Sequence, residues 1–281
     1  MTSQDDQLIP KISLLEGVPR PFFRESGVGP GVVCQHSNAA SSSQWRGLID
    51  LLAPNFHLLA ADHYGAGKSP PWPTDHRPRL WDEVQLLQPV FDLAGDPFDL
   101  VGHSYGAAVA LVAAVAMPHR IRSLTLFEPT LFSLIEAEKP SPNDADGIRN
   151  AVNLAGMAAD AGDQDLAAQH FIDFWMGAGA WAQTPDVRKD AIRKSVSSDV
   201  RKWASALLGE LTPISAFSEL DVPVLYMVGK SSPASSLGVA RLLTHVLPRV
   251  DVVEFEGIGH MGPITHTEQV NKVILKFLER R

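Results

Sequence analysis

The chain has 281 residues, 45% hydrophobic and 20% charged, the profile of a soluble globular protein long enough for a sizeable core. Lys and Arg number 24 against 32 Asp and Glu, a formal charge of −8. That balance argues against a general nucleic-acid or anionic-membrane binder, because both want a basic face. The single cysteine, Cys34, excludes an intrachain disulfide. It sits in the apolar run Val32-Val33-Cys34, where a buried structural thiol is expected. Met1 to Pro10 is polar and acidic and lacks the basic start and apolar core of a secretion signal. No apolar run approaches the ~20 residues of a membrane span. A reducing, cytoplasmic setting is the default expectation.

The predicted elements follow in chain order. Residues 1 to 20 give no strong element. Phe22 to Glu25 reads as a short strand, followed by the turn-rich Ser26-Gly27-Val28-Gly29-Pro30-Gly31. Val32 to Gln35 is a short buried strand, and Ser41 to Leu52 fits a helix with Trp45, Leu48, Ile49 and Leu52 on one face. Phe56 to Ala61 is the next buried strand and runs into a turn, Asp62 to Ser69. Leu80 to Leu93 is helical in pattern, with Pro89 expected to kink or shorten it. A strand over Phe98 to Val101 leads into an Ala-rich helix, Ala107 to Met117, and Leu124 to Phe127 is another strand.

From Leu131 to about Pro213 no buried strand is expected, and the segment reads as a helical insertion. Strand–helix alternation resumes with a strand at Val222 to Val228 and a helix at Ser236 to Leu247. A strand at Val250 to Phe255 and a helix at Glu268 to Leu278 complete it. Such alternation means an α/β protein with a mainly parallel sheet and helices on both faces. Active residues in such sheets gather at the carboxyl ends of strands.

The most informative stretch is Gly102-His103-Ser104-Tyr105-Gly106, between a strand and a helix. A serine flanked by glycines at such a turn reads as a nucleophile elbow, since a side chain at either glycine would crowd neighbouring backbone. The turn places the hydroxyl near a helix N-terminus, where free N–H groups favour developing negative charge. His57, His63, His76, His119, His170 and His245 are scattered without metal-site spacing, so no metal is expected. Asp62 to Lys68 contains Gly-x-Gly without a third glycine and is not a phosphate loop. The basic pairs Arg188-Lys189, Arg193-Lys194 and Arg201-Lys202 read as a solvated helix face.

Together these features resemble the α/β-hydrolase fold family over most of the chain. The matching pieces are His36 with the polar loop after it, Asp62 through Ser69, the elbow at Ser104, and His260 in Gly257-Ile258-Gly259-His260-Met261-Gly262-Pro263. The resemblance implies a core from 1–130 and 213–281 with a helical cap from 131–212. Two places depart from the family pattern. His36-Ser37-Asn38 stands where His-Gly is common. Gly229-Lys230-Ser231-Ser232-Pro233 stands where many members carry the triad aspartate, and no carboxylate occurs between Asp221 and Asp251. Some branches, haloalkane dehalogenases among them, place the acid after the strand that follows the elbow. That position is Glu128 here, and the stretch His36 to Arg46 also looks like the dehalogenase segment. Ser104 does not suit halide displacement, so the likeness bears on Glu128 and not on dehalogenation.

The resemblance therefore implies a cofactor-free serine hydrolase. Ser104 is the nucleophile, His260 the base, Glu128 the acid, and the N–H groups of Asn38 and Tyr105 form the oxyanion hole. Asp62 is expected to be structural, His36 to brace the oxyanion loop, and His266 to be solvated. Met157, Trp175 and Met176 are candidates to line a pocket. Met261 and the Asn38 side chain are candidates to touch substrate. The expected partner is a small-molecule carboxylic ester. A lactonase, a carbon–carbon bond hydrolase, a cofactor-free perhydrolase and a non-catalytic binding protein on this fold are the alternatives, and the oligomeric state is open.

Overall fold

The computed structural model describes residues 19–280. The expectations for Met1 to Pro10, and for residues up to 18, lie outside the described residues. Two strands come first, β1 (Phe23–Ser26) and β2 (Gly31–Gln35). The helix expected over Ser41 to Leu52 is two pieces, a 3-10 turn at Ser42–Trp45 and α1 (Arg46–Leu52). The Ser41 hydroxyl caps the turn by accepting from the Ser43 N–H. β3 (His57–Ala61) is followed by α2 (Leu80–Ala94). Pro89 does not shorten α2. It removes one intrahelical hydrogen bond, but Val84, Leu87, Val90 and Phe91 around it are all buried and hold the helix to the core.

β4 (Phe98–His103), α3 (Tyr105–Ala116) and β5 (Ile121–Phe127) come next. Six helices then intervene before the next strand: α4 (Ser133–Glu138), α5 (Asp146–Asp160), α6 (Gln164–Met176), α7 (Ala180–Gln183), α8 (Asp186–Leu208) and α9 (Ile214–Ser218). The chain finishes with β6 (Val224–Gly229), α10 (Ala234–Val246), β7 (Val250–Phe255), α11 (Gly262–Thr265) and α12 (Thr267–Leu278). A single turn such as α11 is too short to show a periodicity in sequence. No helix among the described residues is long and apolar enough to cross a membrane.

The seven strands form one sheet in the order β1-β3-β2-β4-β5-β6-β7. β1 is antiparallel to β3, and every other neighbour pair is parallel. β2, β4 and β6 are buried at every residue, as a sheet covered on both faces requires. Successive side chains alternate between the faces. Val33, Leu59, Leu100 and Leu124 join one core with residues of α2, α3 and α10. Val32, Cys34, Leu58 and Val101 join the other with Leu48 and Leu52 of α1 and Val270 and Ile274 of α12. Cys34 is fully buried, and burial pushes its thiol far above the ordinary range, which makes it inert. The parallel arrangement brings the ends of β2, β4, β5, β6 and β7 to one edge of the sheet, and the loops at that edge carry the candidate site.

Candidate active site

Ser104 follows β4 directly, with φ 56 and ψ −114, a backbone state that non-glycine residues rarely adopt. The turn is built by its glycines. A Cβ on Gly102 would lie 2.5 Å from the Ala107 Cα, and one on Gly106 would lie 2.3 Å from the Gln35 carbonyl oxygen. The Ser104 N–H donates to the Phe127 carbonyl at 2.9 Å, tying the turn to the end of β5.

His260 lies between β7 and α11. Its Nε2 is 2.8 Å from the Ser104 Oγ, and its Nδ1 is 2.6 Å from the Glu128 Oε2. His260 is 1% exposed and Glu128 0%. A carboxylate only accepts, so Nδ1 carries the ring hydrogen and Nε2 faces the serine hydroxyl as an acceptor. Glu128 turns at the end of β5 with φ 46, and its N–H donates to the Met227 carbonyl at 3.1 Å. A buried carboxylate is costly unless its oxygens are occupied. Here Oε1 accepts from the Gly229 N–H at 2.7 Å and from the Ser232 hydroxyl at 2.6 Å. The segment after β6, which holds no acid, thus supplies donors to the acid of the neighbouring strand. Ser236 Oγ stands 3.2 Å from His260 Nδ1.

Sequence reasoning missed Ser232 and Ser236, and also a second buried network. His103 Nε2 donates to the His260 carbonyl at 2.9 Å, and its Nδ1 accepts from the Gln44 amide at 3.2 Å. Gln44 Oε1 accepts from both the Ser37 N–H and the Ser37 hydroxyl at 3.1 Å. The chain Ser37–Gln44–His103–His260 joins three loops of the site edge. Burial, reinforced by the neighbouring His260, holds His103 well below the ordinary histidine range, so it stays neutral. The available signal was the position of His103 inside the elbow pentapeptide.

His36 braces the loop before Asn38. Its Nδ1 donates to the Ser37 carbonyl at 2.7 Å, and its Nε2 accepts from the His63 N–H at 3.1 Å. Burial first, then His63, pushes it down to about 3. Asp62 accepts from the Ser42 N–H at 2.6 Å and the Lys68 N–H at 3.0 Å, which spends its oxygens on the turn. His266 is exposed. No group of three or more His, Cys, Asp or Glu among the described residues is placed to hold a metal ion.

A cavity of about 1070 Å³ opens over Ser104 and is lined by Asn38, Trp175, His260 and Met261 among others. Met176 lines it as well. Met157 does not. It is 65% exposed, on the outward side of α5. Trp175 of α6 stacks directly on His260. Glu128 and Tyr105 stand behind the wall. The Tyr105 phenol donates to Glu83 Oε1 at 3.2 Å, and burial pushes it well above its ordinary range, so only its backbone is left for the site. The N–H groups of Tyr105 and Asn38 have no protein acceptor among the described residues.

Comparisons with known proteins agree with this architecture. A curated relative from Acinetobacter baylyi, an (E)-2-((N-methylformamido)methylene)succinate hydrolase, is 21% identical over 97% of this chain and 99% of its own length. A pimeloyl-[acyl-carrier protein] methyl ester esterase from Nitrosomonas europaea is 24% identical over 87% of this chain and 94% of its own. Among solved structures, an alpha/beta hydrolase enzyme from a Medee basin deep-sea metagenome superposes with a TM-score of 0.77 at 17% identity, covering 92% of this chain and 94% of that one. Residues 30–267 match the family model described as the alpha/beta hydrolase fold. With a seven-stranded sheet of that topology and a match over most of its length, the chain belongs to the alpha/beta hydrolase fold family.

Proposed function

We propose that this protein is a serine hydrolase that cleaves carboxylic esters through a Ser104-His260-Glu128 triad and an acyl-enzyme. One observation carries the reading. A single buried imidazole has a hydroxyl at 2.8 Å on one nitrogen and a carboxylate at 2.6 Å on the other. A free serine hydroxyl is a poor nucleophile and needs an adjacent base. Ser104 Oγ attacks the acyl carbon while its proton passes to His260 Nε2. Glu128 keeps the ring in the required tautomer and stabilises the imidazolium. The oxyanion is held by the N–H groups of Tyr105 and Asn38, which have no other acceptor, and each such donor typically supplies ~3 kcal/mol. The intermediate collapses as His260 returns the proton to the departing alcohol. Water, deprotonated by the same histidine, then attacks the acyl carbon and releases the acid with Ser104 restored.

The helical segment 131–212 acts in this reading as a cap that encloses small to medium substrates. The esterase named among the relatives favours ester cleavage within the family's range of reactions. A panel of aryl esters with graded acyl length tests the proposal. Short acyl chains turn over, and Ser104→Ala abolishes turnover. Equal rates in Ser104→Ala and wild type would overturn it.

A further inference from the structure

The walls of the cavity carry charge of one sign only. No Asp or Glu lines it among the described residues, although the chain holds 32 of them, whereas Arg46, Arg188 and Lys194 all do. Arg46 opens α1, on the sheet side of the cavity. Arg188 and Lys194 lie on α8, where Arg188, Ala191, Ser195 and Ser198 recur at spacings of three and four and turn one face of the helix to the cavity. All three cations are solvent-exposed, so they stand where the cavity opens.

The other basic residues of α8 show what is unusual about these two. Lys189 pairs with Asp186 at 3.1 Å, Arg193 with Asp165 at 2.6 Å and Asp190 at 2.9 Å, Arg201 with Asp160 at 2.6 Å, and Lys202 with Asp199 at 2.9 Å. Arg188 and Lys194, like Arg46, have no carboxylate within ion-pair distance among the described residues. The helix is therefore not the uniformly solvated face that its sequence suggests. Its cations that pack on neighbouring elements or face an acid one turn away are neutralised, and its cavity-lining ones are left open. In a chain of net charge −8, such a patch concentrates anions at the mouth of the site.

We infer that the substrate carries an ionised acid group, a carboxylate or a phosphate, at the end remote from the scissile ester, and that Arg46, Arg188 and Lys194 receive it. The inference rests on the ester reading for the reacting end and adds the chemistry of the other end. Arg188 and Arg46 suit planar or tetrahedral oxyanions through paired N–H donors, and Lys194 adds a point charge.

The test compares the p-nitrophenyl hemiester of glutaric acid with neutral p-nitrophenyl valerate. The readout is the ratio of their kcat/KM values in wild type, in the triple variant Arg46→Gln/Arg188→Gln/Lys194→Gln, and in the control Lys189→Gln. The wild-type ratio should be about ten, the sum of two or three solvent-screened ion pairs. It should fall to about one in the triple variant, stay unchanged in the control, and contract as ionic strength rises to ~0.5 M. A wild-type ratio of one or below, or one that survives the triple substitution, overturns the inference. Calorimetric titration of wild type with glutarate, inorganic phosphate and neutral glutaramide separates this outcome from failure of the ester reading, because it needs no turnover. Tighter binding of either anion, lost in the triple variant, supports the inference and names the acid group. Binding of glutaramide equal to both anions overturns it, whatever happens to the esters.

Discussion

The indole of Trp175 lies over the imidazole of His260, with ring centroids 4.0 Å apart and planes 24° from parallel. The indole comes from the helical segment between β5 and β6 and the imidazole from the loop after β7, so the contact ties that segment to the reacting group. Phe132, Phe171 and Phe174 surround the outer side of the indole and hold it there. An aromatic face attracts a cation, typically by ~0.5–2 kcal/mol. In the proposed mechanism His260 becomes a cation only as the tetrahedral intermediate forms, so the stack favours that state over the resting one. Trp175→Ala should therefore lower kcat about 3- to 30-fold, while Trp175→Phe should lose less. Steady-state kinetics on a short aryl ester check this, and an unchanged kcat in Trp175→Ala would reduce the contact to packing.

Glu128→Gln tests the role of the acid through the tautomer. The amide oxygen of the new side chain satisfies the donors of Gly229 and Ser232, which leaves its NH2 facing His260 Nδ1. Nδ1 must then accept, the ring hydrogen moves to Nε2, and Nε2 can no longer take the Ser104 proton. The expected loss in kcat is ~10³–10⁴-fold, the size seen for an acid-to-amide change in other triads. A rate within a factor of ten of wild type would remove Glu128 from the mechanism.

The Ser232 hydroxyl donates to Glu128 and does not line the cavity, so in the proposed mechanism it acts through the acid and not on substrate. That hydroxyl helps to hold Glu128 in place against His260 Nδ1, so Ser232→Ala should lower kcat and leave KM near its original value. The double variant Ser232→Ala/Glu128→Gln should be no slower than Glu128→Gln alone, because both substitutions act through one carboxyl. Additive losses would place Ser232 in some other role.

Buried His36 and His103 make stability depend on pH. Both are held below the ordinary histidine range, His36 to about 3, with burial as the leading cause. Below about pH 6.5 the unfolded chain binds protons at these positions and the folded chain does not, so stability is lost as pH falls from there toward the folded values. Each histidine contributes a slope of about 1.4 kcal/mol per pH unit at most. Urea denaturation from pH 7 to pH 4.5 should show this decline, and His103→Asn should make it shallower while the His36 contribution remains. A wild-type stability that is flat across that range would contradict the assignment of neutral, buried rings.

How much of this was legible in the sequence depended on how local the constraint was. Gly102 and Gly106 leave a trace because the elbow excludes a Cβ at fixed offsets from Ser104. The inner strands stood out because both faces of a parallel sheet need apolar residues. Glu128 could be reached only by elimination, from the missing carboxylate after β6 and a likeness to branches that use the next strand. Ser232, Ser236 and Gln44 left no trace, since a serine or glutamine donor has no pattern until the fold brings it to its partner. Pro89 does not end α2, because packing on both sides of it outweighs its local propensity. The pairing of the α8 cations is only partly legible in sequence. Lys189 and Lys202 have acids three residues before them on the same helix, whereas the partners of Arg193 and Arg201 at Asp165 and Asp160 lie on other elements and are set only by the fold.

The most direct test of the account is the site of covalent modification by diethyl p-nitrophenyl phosphate, read by peptide mass spectrometry. A triad-activated Ser104 should take up one diethylphosphoryl group per chain, with none on Ser104→Ala and a greatly slowed reaction in His260→Ala. An unmodified wild-type protein, or an adduct confined to any other residue, would contradict it.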